Sequence, residues 1–140
     1  MADRTDNTAS IQPIGPVYSD FMTNFNAHPN TGKLITKTDA EAARRSLRNL
    51  ILTNRGERFY KPNLGSNINS LLFEQPNDVI TEQISSLIKE CIERYEKRVF
   101  LQAVNVSYEE SDSSYNVDVY FSVINNTNTY NLNIKLDRLR

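Results

Sequence analysis

Apolar residues along this chain follow two periods, one near 3.6 and one of 2, and the change-over falls close to Val99. Ahead of that point, Ala40, Ala43, Leu47, Leu50 and Ile51 recur at the three-and-four spacing of one helix face. Asp39 just before them suits an N-cap and Gly56 suits a C′ stop, while Glu41 four residues before Arg45 predicts an ion pair on the outer face. A second and stronger stripe, Ile80, Ile84, Leu87, Ile88, Cys91, Ile92 and Tyr95, spans about four helical turns. Its outer face carries Glu90 with Arg94 and Glu93 with Lys97, again in Glu-first order. Beyond Val99 apolar and polar residues alternate: Val104, Val106, Tyr108, then Tyr115, Val117, Val119, Phe121, Val123, then Tyr130, Leu132, Ile134, Leu136. These are three half-buried strands, and the polar runs Glu110–Ser113 and Asn125–Asn128 are turns short enough for an antiparallel meander.

The remaining stretches lack a period. Residues 1–17 are small and polar, punctuated by Pro13, Gly15 and Pro16, and read as an extended or disordered arm ahead of a single domain over 18–140. Tyr18 to Thr38 is an irregular lead-in with a turn cluster at His28–Gly32. From Arg55 to Gly65 two glycines and Pro62 forbid a long regular element, and Phe59, Tyr60 and Leu64 offer apolar anchors for a structured loop. Ile68 to Phe73 suits a turn or two of helix before Pro76-Asn77-Asp78 restarts the chain. Two amphipathic helices and one amphipathic sheet each need a covered face, so the expected fold is α+β: a two-layer sandwich of two helices on a three-stranded antiparallel meander.

Composition narrows the chemistry. At 140 residues the chain suits one domain, large enough to bury roughly 70% of its unfolded surface without staples. One cysteine, Cys91, excludes an internal disulfide, and with His28 the only histidine no site that needs two imidazoles is possible. No cofactor is expected. Sixteen Lys+Arg against seventeen Asp+Glu leave a net charge of -1, so no basic field draws the chain to nucleic acid or anionic lipid. No apolar run approaches the roughly 20 residues that span a bilayer, and the polar N-terminus has no apolar signal segment, which points to synthesis in a cytoplasm. Cys91 sits on the helix stripe and reads as a small core hydrophobe. His28 lies beside Pro29 in a turn, where a lone histidine is usually structural or solvated. Glu57, Glu74, Glu109, Glu110 and Asp112 could in principle supply a glycosidase's two carboxylates, but none lies in an apolar context with an aromatic platform for sugar.

A series of strings carries a further signal: Val17-Tyr18-Ser19-Asp20, His28-Pro29-x-Thr31-Gly32 and Ser46-Leu47-Arg48-Asn49-Leu50-Ile51-Leu52-Thr53. Arg55-Gly56-Glu57-Arg58, Pro62-Asn63-Leu64-Gly65, Leu71-Leu72-Phe73-Glu74, Tyr95-Glu96-Lys97-Arg98, Val104-Asn105-Val106 and Phe121-Ser122-Val123-Ile124 follow in order. Together they resemble the baseplate wedge subunit family of contractile-tailed phages, whose members often carry the label "lysozyme-like" and have counterparts in type VI secretion and other injection machines. The resemblance covers about residues 18–136.

It implies a structural role and no catalysis. By resemblance, the subunit sits near the tail tube in a ring-shaped assembly of several copies, links other wedge proteins and the tube-proximal hub to the first ring of tail sheath protein, and templates sheath assembly. Its place would be the virion tail, built in the host cytoplasm. The family's Glu-Pro-Arg tripeptide falls on Glu96, Lys97 and Arg98, with lysine in place of proline; proline would stop the helix, whereas Lys97 permits another turn. As a partner-binding site the resemblance offers Glu96 and Arg98, the guanidinium making forked hydrogen bonds to neighbouring wedge proteins. The last strand, Thr129 to Leu136, is a sheet edge with a charge only at Lys135, thin protection against pairing with another chain. Asn131 and Asn133 are the backbone positions through which it would accept a strand from sheath, unless residues 1–17 cover it. The alternatives are a cell-wall glycosidase of lysozyme type and the corresponding baseplate subunit of a secretion or injection system.

Overall fold

A computed structural model describes residues 18–21, 25–124 and 128–138. Two short strands come first, β1 (Ser19–Phe21) and β2 (Thr36–Thr38), paired antiparallel in their own ribbon. Helices α1 (Asp39–Leu52), α2 (Ile68–Leu71) and α3 (Asp78–Tyr95) follow, then β3 (Val99–Glu109), β4 (Ser114–Val123) and β5 (Thr129–Asp137). The last three form an antiparallel sheet in the order β3-β4-β5, the expected meander, with one irregularity between Leu101 and Ala103. The arm over residues 1–17 and most of the turn at Asn125–Asn128 lie outside the described residues.

Each amphipathic face meets the other as the sequence periods require. Leu47 and Ile51 of α1, Ile84, Ile88 and Ile92 of α3, and Val117, Val119 and Phe121 of β4 belong to one buried cluster, most of them fully inaccessible. Every second residue of β5, Leu132, Ile134 and Leu136, joins the same cluster while Asn131, Asn133 and Lys135 face water. Cys91 on α3 is buried as well, and burial pushes its thiol up to about 11, so it stays protonated and inert at neutral pH. Each fully buried aliphatic or aromatic side chain contributes roughly 1.5–3 kcal/mol. At the start of α3 the Asn77 side chain accepts the Ile80 amide at 2.8 Å, satisfying one of the free donors of the first turn.

The helix ends depart from expectation in ways with identifiable causes. Thr38, not Asp39, is the N-cap of α1. Asp39 is instead tied back to the lead-in: its amide donates to the Tyr18 carbonyl at 2.7 Å and its Oδ1 accepts the Tyr18 amide at 3.0 Å. That tether holds Asp39 at φ 44, a left-handed conformation aspartate tolerates better than most residues. At its other end α1 stops at Leu52: Thr53 still donates its amide and hydroxyl to the Asn49 carbonyl, at 3.0 and 2.6 Å, but its own backbone has turned extended, at φ -82 and ψ 128. Gly56 therefore serves the following turn, not the helix end. Glu41 pairs with Arg44 and Lys37 in place of Arg45, whose guanidinium reaches the Phe21 carbonyl. Glu90 does pair with Arg94, at 2.9 Å, whereas Lys97 lies past the end of the helix and leaves Glu93 without its expected partner.

Candidate docking site at the Glu96–Arg98 corner and the β5 edge

Residue 96 is where the chain leaves α3 and turns into β3. Glu96 is the C-cap, at φ -114 and ψ 82, and its amide donates to the Ile92 carbonyl at 2.9 Å. Lysine in the place of proline would permit another helical turn, but α3 ends at Tyr95 all the same. The Glu96 side chain turns inward instead, and the residue keeps only 6% of its surface exposed. Two partners await it: the Ser46 hydroxyl, donated from α1, and Arg98, whose Nε and Nη2 each meet a carboxylate oxygen at 2.7 Å. A buried carboxylate with this many donors stays ionised. Burial opposes its charge, but the hydrogen bonds from Arg98 and Ser46 and the guanidinium's own charge outweigh it and hold the carboxyl below its ordinary value.

Arg98 is fixed on several sides. Its fork is occupied by Glu96, its guanidinium carbon lies 5.4 Å from the centre of the Tyr18 ring, and its backbone carbonyl accepts the Ile124 amide at 3.0 Å. The Glu96 pair also raises the proton affinity of Arg98, a cation in any case. With its side chain 36% exposed, Arg98 still presents a guanidinium edge to solvent beside exposed Lys97. Sequence patterning placed Glu96 and Arg98 side by side but missed Ser46 and Tyr18, which come from other elements; only their hydroxyl and aromatic character hinted at a role.

Asn131 and Asn133 lie well away from this corner in the chain, on β5. The Arg138 amide donates to the Ser113 carbonyl at 3.0 Å, one step beyond the Ser114–Asp137 pair, and that bond sets the phase of the whole β4–β5 ladder. Tyr130, Leu132, Ile134 and Leu136 turn their backbone groups toward β4, so Thr129, Asn131, Asn133, Lys135 and Asp137 turn theirs outward. Among the described residues no strand pairs with that edge. The opposite edge is partly occupied, since the Ser85 hydroxyl on α3 donates to the Val104 carbonyl of β3 at 3.2 Å. Asn133 and Lys135 are held on the sheet's outer face by side-chain bonds to Asp118 at 2.9 Å and Asp112 at 2.8 Å.

The other residues weighed for chemistry are dispersed. His28 is exposed, its Nδ1 accepting the Asn30 amide at 3.3 Å, and Glu57 caps the Asn54 amide in the loop at 2.9 Å. Glu109, at the end of β3, and Glu110 and Asp112 in the turn after it are all exposed. Among the described residues no group of three His, Cys, Asp or Glu is arranged to hold a metal ion, and no helix is long and apolar enough to cross a membrane. Phe59 and Tyr60 do not anchor their loop as the sequence suggested: each is 99% exposed, and Leu64 alone of the three is partly buried.

Baseplate wedge protein gp25 of Enterobacteria phage T4 is 32% identical over 81 residues, which are 58% of this chain and 61% of that protein. A Geobacter sulfurreducens protein provisionally named a tail lysozyme shares the fold at TM-score 0.67 and 26% identity, covering 71% of this chain and 91% of its own. A chain of the anti-feeding prophage baseplate matches at TM-score 0.59 and 21% identity over 88% of this chain and 87% of that one. A chain of the type VI secretion baseplate complex matches at 0.59 and 13%, over 69% and 90%. These last two likenesses are of fold alone. The family model for baseplate wedge protein gp25 covers residues 37–128, from β2 to the threshold of β5 and through the Glu96–Arg98 corner, and this chain belongs to that family.

Proposed function

We propose that this protein is a structural, non-catalytic subunit of a contractile tail baseplate, with residues 18–140 acting as one wedge domain and residues 1–17 as an arm. It joins neighbouring wedge proteins through the corner of Glu96, Lys97 and Arg98 and accepts extended chain from tail sheath protein along β5. Family membership supports the baseplate role, and the resemblance seen in the sequence supports the sheath contact, the tail of a virion as the site of action and assembly in the host cytoplasm. The observation that carries the edge assignment is the ladder phase, which leaves the amides and carbonyls of Asn131 and Asn133 both directed outward. An added strand gains its affinity from those backbone groups.

The lysozyme reading finds less support. A glycosidase acid needs a raised pKa, and Glu96, the buried carboxylate, is held ionised by Arg98 and Ser46.

Proline at an outward-facing edge position removes a donor without breaking the internal ladder. Asn131→Pro and Asn133→Pro are therefore expected to melt close to wild type yet to yield tails with little or no sheath in electron micrographs. Residues 131 and 133 share one phase, so both substitutions count equally. Fully sheathed tails from both variants would exclude this edge as the docking site.

A further inference from the structure

The loop between α1 and α2 is built with a rigidity that its own fold does not need at the tip. Thr53 and Ser66 close its base, with the Ser66 amide on the Thr53 carbonyl at 2.9 Å and the Ser66 hydroxyl on the Ile51 carbonyl at 2.6 Å. Gly65 lets the two strands of the base approach: at φ +114 it sits where a Cβ would lie 2.2 Å from the Thr53 oxygen. Inside the loop the Gly56 amide reaches the Pro62 carbonyl at 2.7 Å, and the Lys61 amide reaches the Arg58 carbonyl at 3.1 Å. The Tyr95 hydroxyl on α3 braces it from below through the Asn63 carbonyl. The product of all these bonds is a turn that holds Phe59 and Tyr60 in water, each 99% exposed. Isolated apolar surface residues need no explanation, but two adjacent aromatics on a closed, braced tip form a preorganised anchor.

We propose that this tip is a second docking element, inserting Phe59 and Tyr60 into an apolar slot rimmed by carboxylates on another protein of the same assembly. The inference rests on the reading of the chain as a baseplate subunit. Aromatic side chains of this size bury about 150–250 Å² each and dominate the energetics of contacts they anchor. The chemistry of the rim follows from the collar: Arg58 and Lys61 flank the pair directly, Arg55 and Arg94 stand at the base, where Glu90 pairs with them at 3.9 and 2.9 Å, and Glu57, turned onto the Asn54 amide, is the loop's own carboxylate, so the four cations outnumber these two acids. A partner presenting Asp or Glu around its slot would meet that excess of cations. Position points to a protein partner of the wedge: a cleft of about 230 Å³, with Arg58, Leu64 and Tyr95 on the loop side and Ser46, Glu96 and Asp20 on the other, runs between the loop and the docking corner. One neighbour could thus engage the buried ion pair and the aromatic tip together. A second copy of this chain offers a poorer seat, because its apolar groove at Leu71, Val79 and Leu87, about 410 Å³, has Glu82 as its single carboxylate.

The test uses complete particles purified from cells that express the full chain with Phe59→p-benzoylphenylalanine, a photo-crosslinker. Irradiation is expected to join residue 59 to a different protein, at a segment where apolar residues are flanked by Asp or Glu. The double variant Phe59→Ser with Tyr60→Ser is expected to melt as wild type and to enter particles at least about tenfold less efficiently, the effect of losing an aromatic hot spot. Arg58→Glu with Lys61→Glu should reduce entry in the same way. Crosslinks confined to copies of this chain would overturn the proposal, as would a basic crosslinked segment or normal entry of the double variant. Binding of the purified chain to phosphatidylglycerol–phosphatidylcholine vesicles, lost in the double variant and unaccompanied by a protein crosslink, would assign the tip to lipid and equally overturn it. A photo-crosslinker chain that enters particles but forms no crosslink from residue 59 refutes this inference alone, whereas wild-type chain absent from particles refutes the subunit reading as well.

Discussion

Arg98→Ala tests the corner at its electrostatic centre. The substitution removes both 2.7 Å bonds to Glu96 and the stack on Tyr18, and it leaves a carboxylate 7% exposed with Ser46 as its remaining side-chain donor. Breaking a fully buried ion pair costs about 3–5 kcal/mol. Here the Arg98 side chain is 36% exposed, so screening by solvent lowers the expected loss at neutral pH to about 2–3 kcal/mol. The sign of its pH dependence follows from linkage. In the wild type the Glu96 carboxyl lies below its ordinary 4.5, so its contribution is complete above that value and is lost as pH falls through the lower folded value. Without Arg98 the burial that already opposes ionisation goes less compensated and the folded pKa climbs. The variant therefore regains stability relative to wild type on acidification, and the gap between the two proteins narrows as the pH drops from about 7 to about 4. Urea unfolding followed by circular dichroism at both pH values measures the gap. A loss under about 0.5 kcal/mol at neutral pH, the size of an ordinary surface substitution, would refute the argument. So would a loss of equal size at both pH values, since the carboxylate would then not be its cause.

Three further substitutions examine the fold around the site. Phe121→Ser, at a fully buried position, is expected to cost about 3–5 kcal/mol in urea unfolding, and Tyr120→Ser, next along β4 but facing the partly exposed side, less than half as much; equal losses would mean the strand's faces are wrongly assigned. Lys97→Pro, which restores the family's residue just after the C-cap of α3, is expected to shift the unfolding free energy by less than about 1 kcal/mol, since Glu96 has already left helical geometry. A loss of about 3 kcal/mol, typical of proline within a helix, would contradict the observed end of α3.

The parts of this protein legible in its sequence are those governed by local period. The stripe from Ile80 to Tyr95 could bury one face only as a helix, and the alternation from Tyr115 to Val123 could do so only as a strand, so α3, the meander and their shared core followed from spacing alone. The strings around Glu96 and Arg98 likewise marked the family before any geometry was known. What remained hidden depends on contacts between residues far apart in the chain. The β1–β2 ribbon is made of three-residue strands, too short to show a period, and exists because Tyr18 is pinned to Asp39. Arg98 reads from the sequence as a fork free for a partner, yet the turn after α3 brings Glu96 within reach, and Ser46 arrives from α1 to complete the pocket. Phe59 and Tyr60 read as anchors because they are apolar, but hydrogen bonds at Ser66, Gly56 and Tyr95 close the loop beneath them and hold them outward. Hydrophobic pattern states which side chains favour burial; whether each is buried is settled by where the rest of the chain packs, because burial needs a partner surface and the sequence period specifies only one side of the contact.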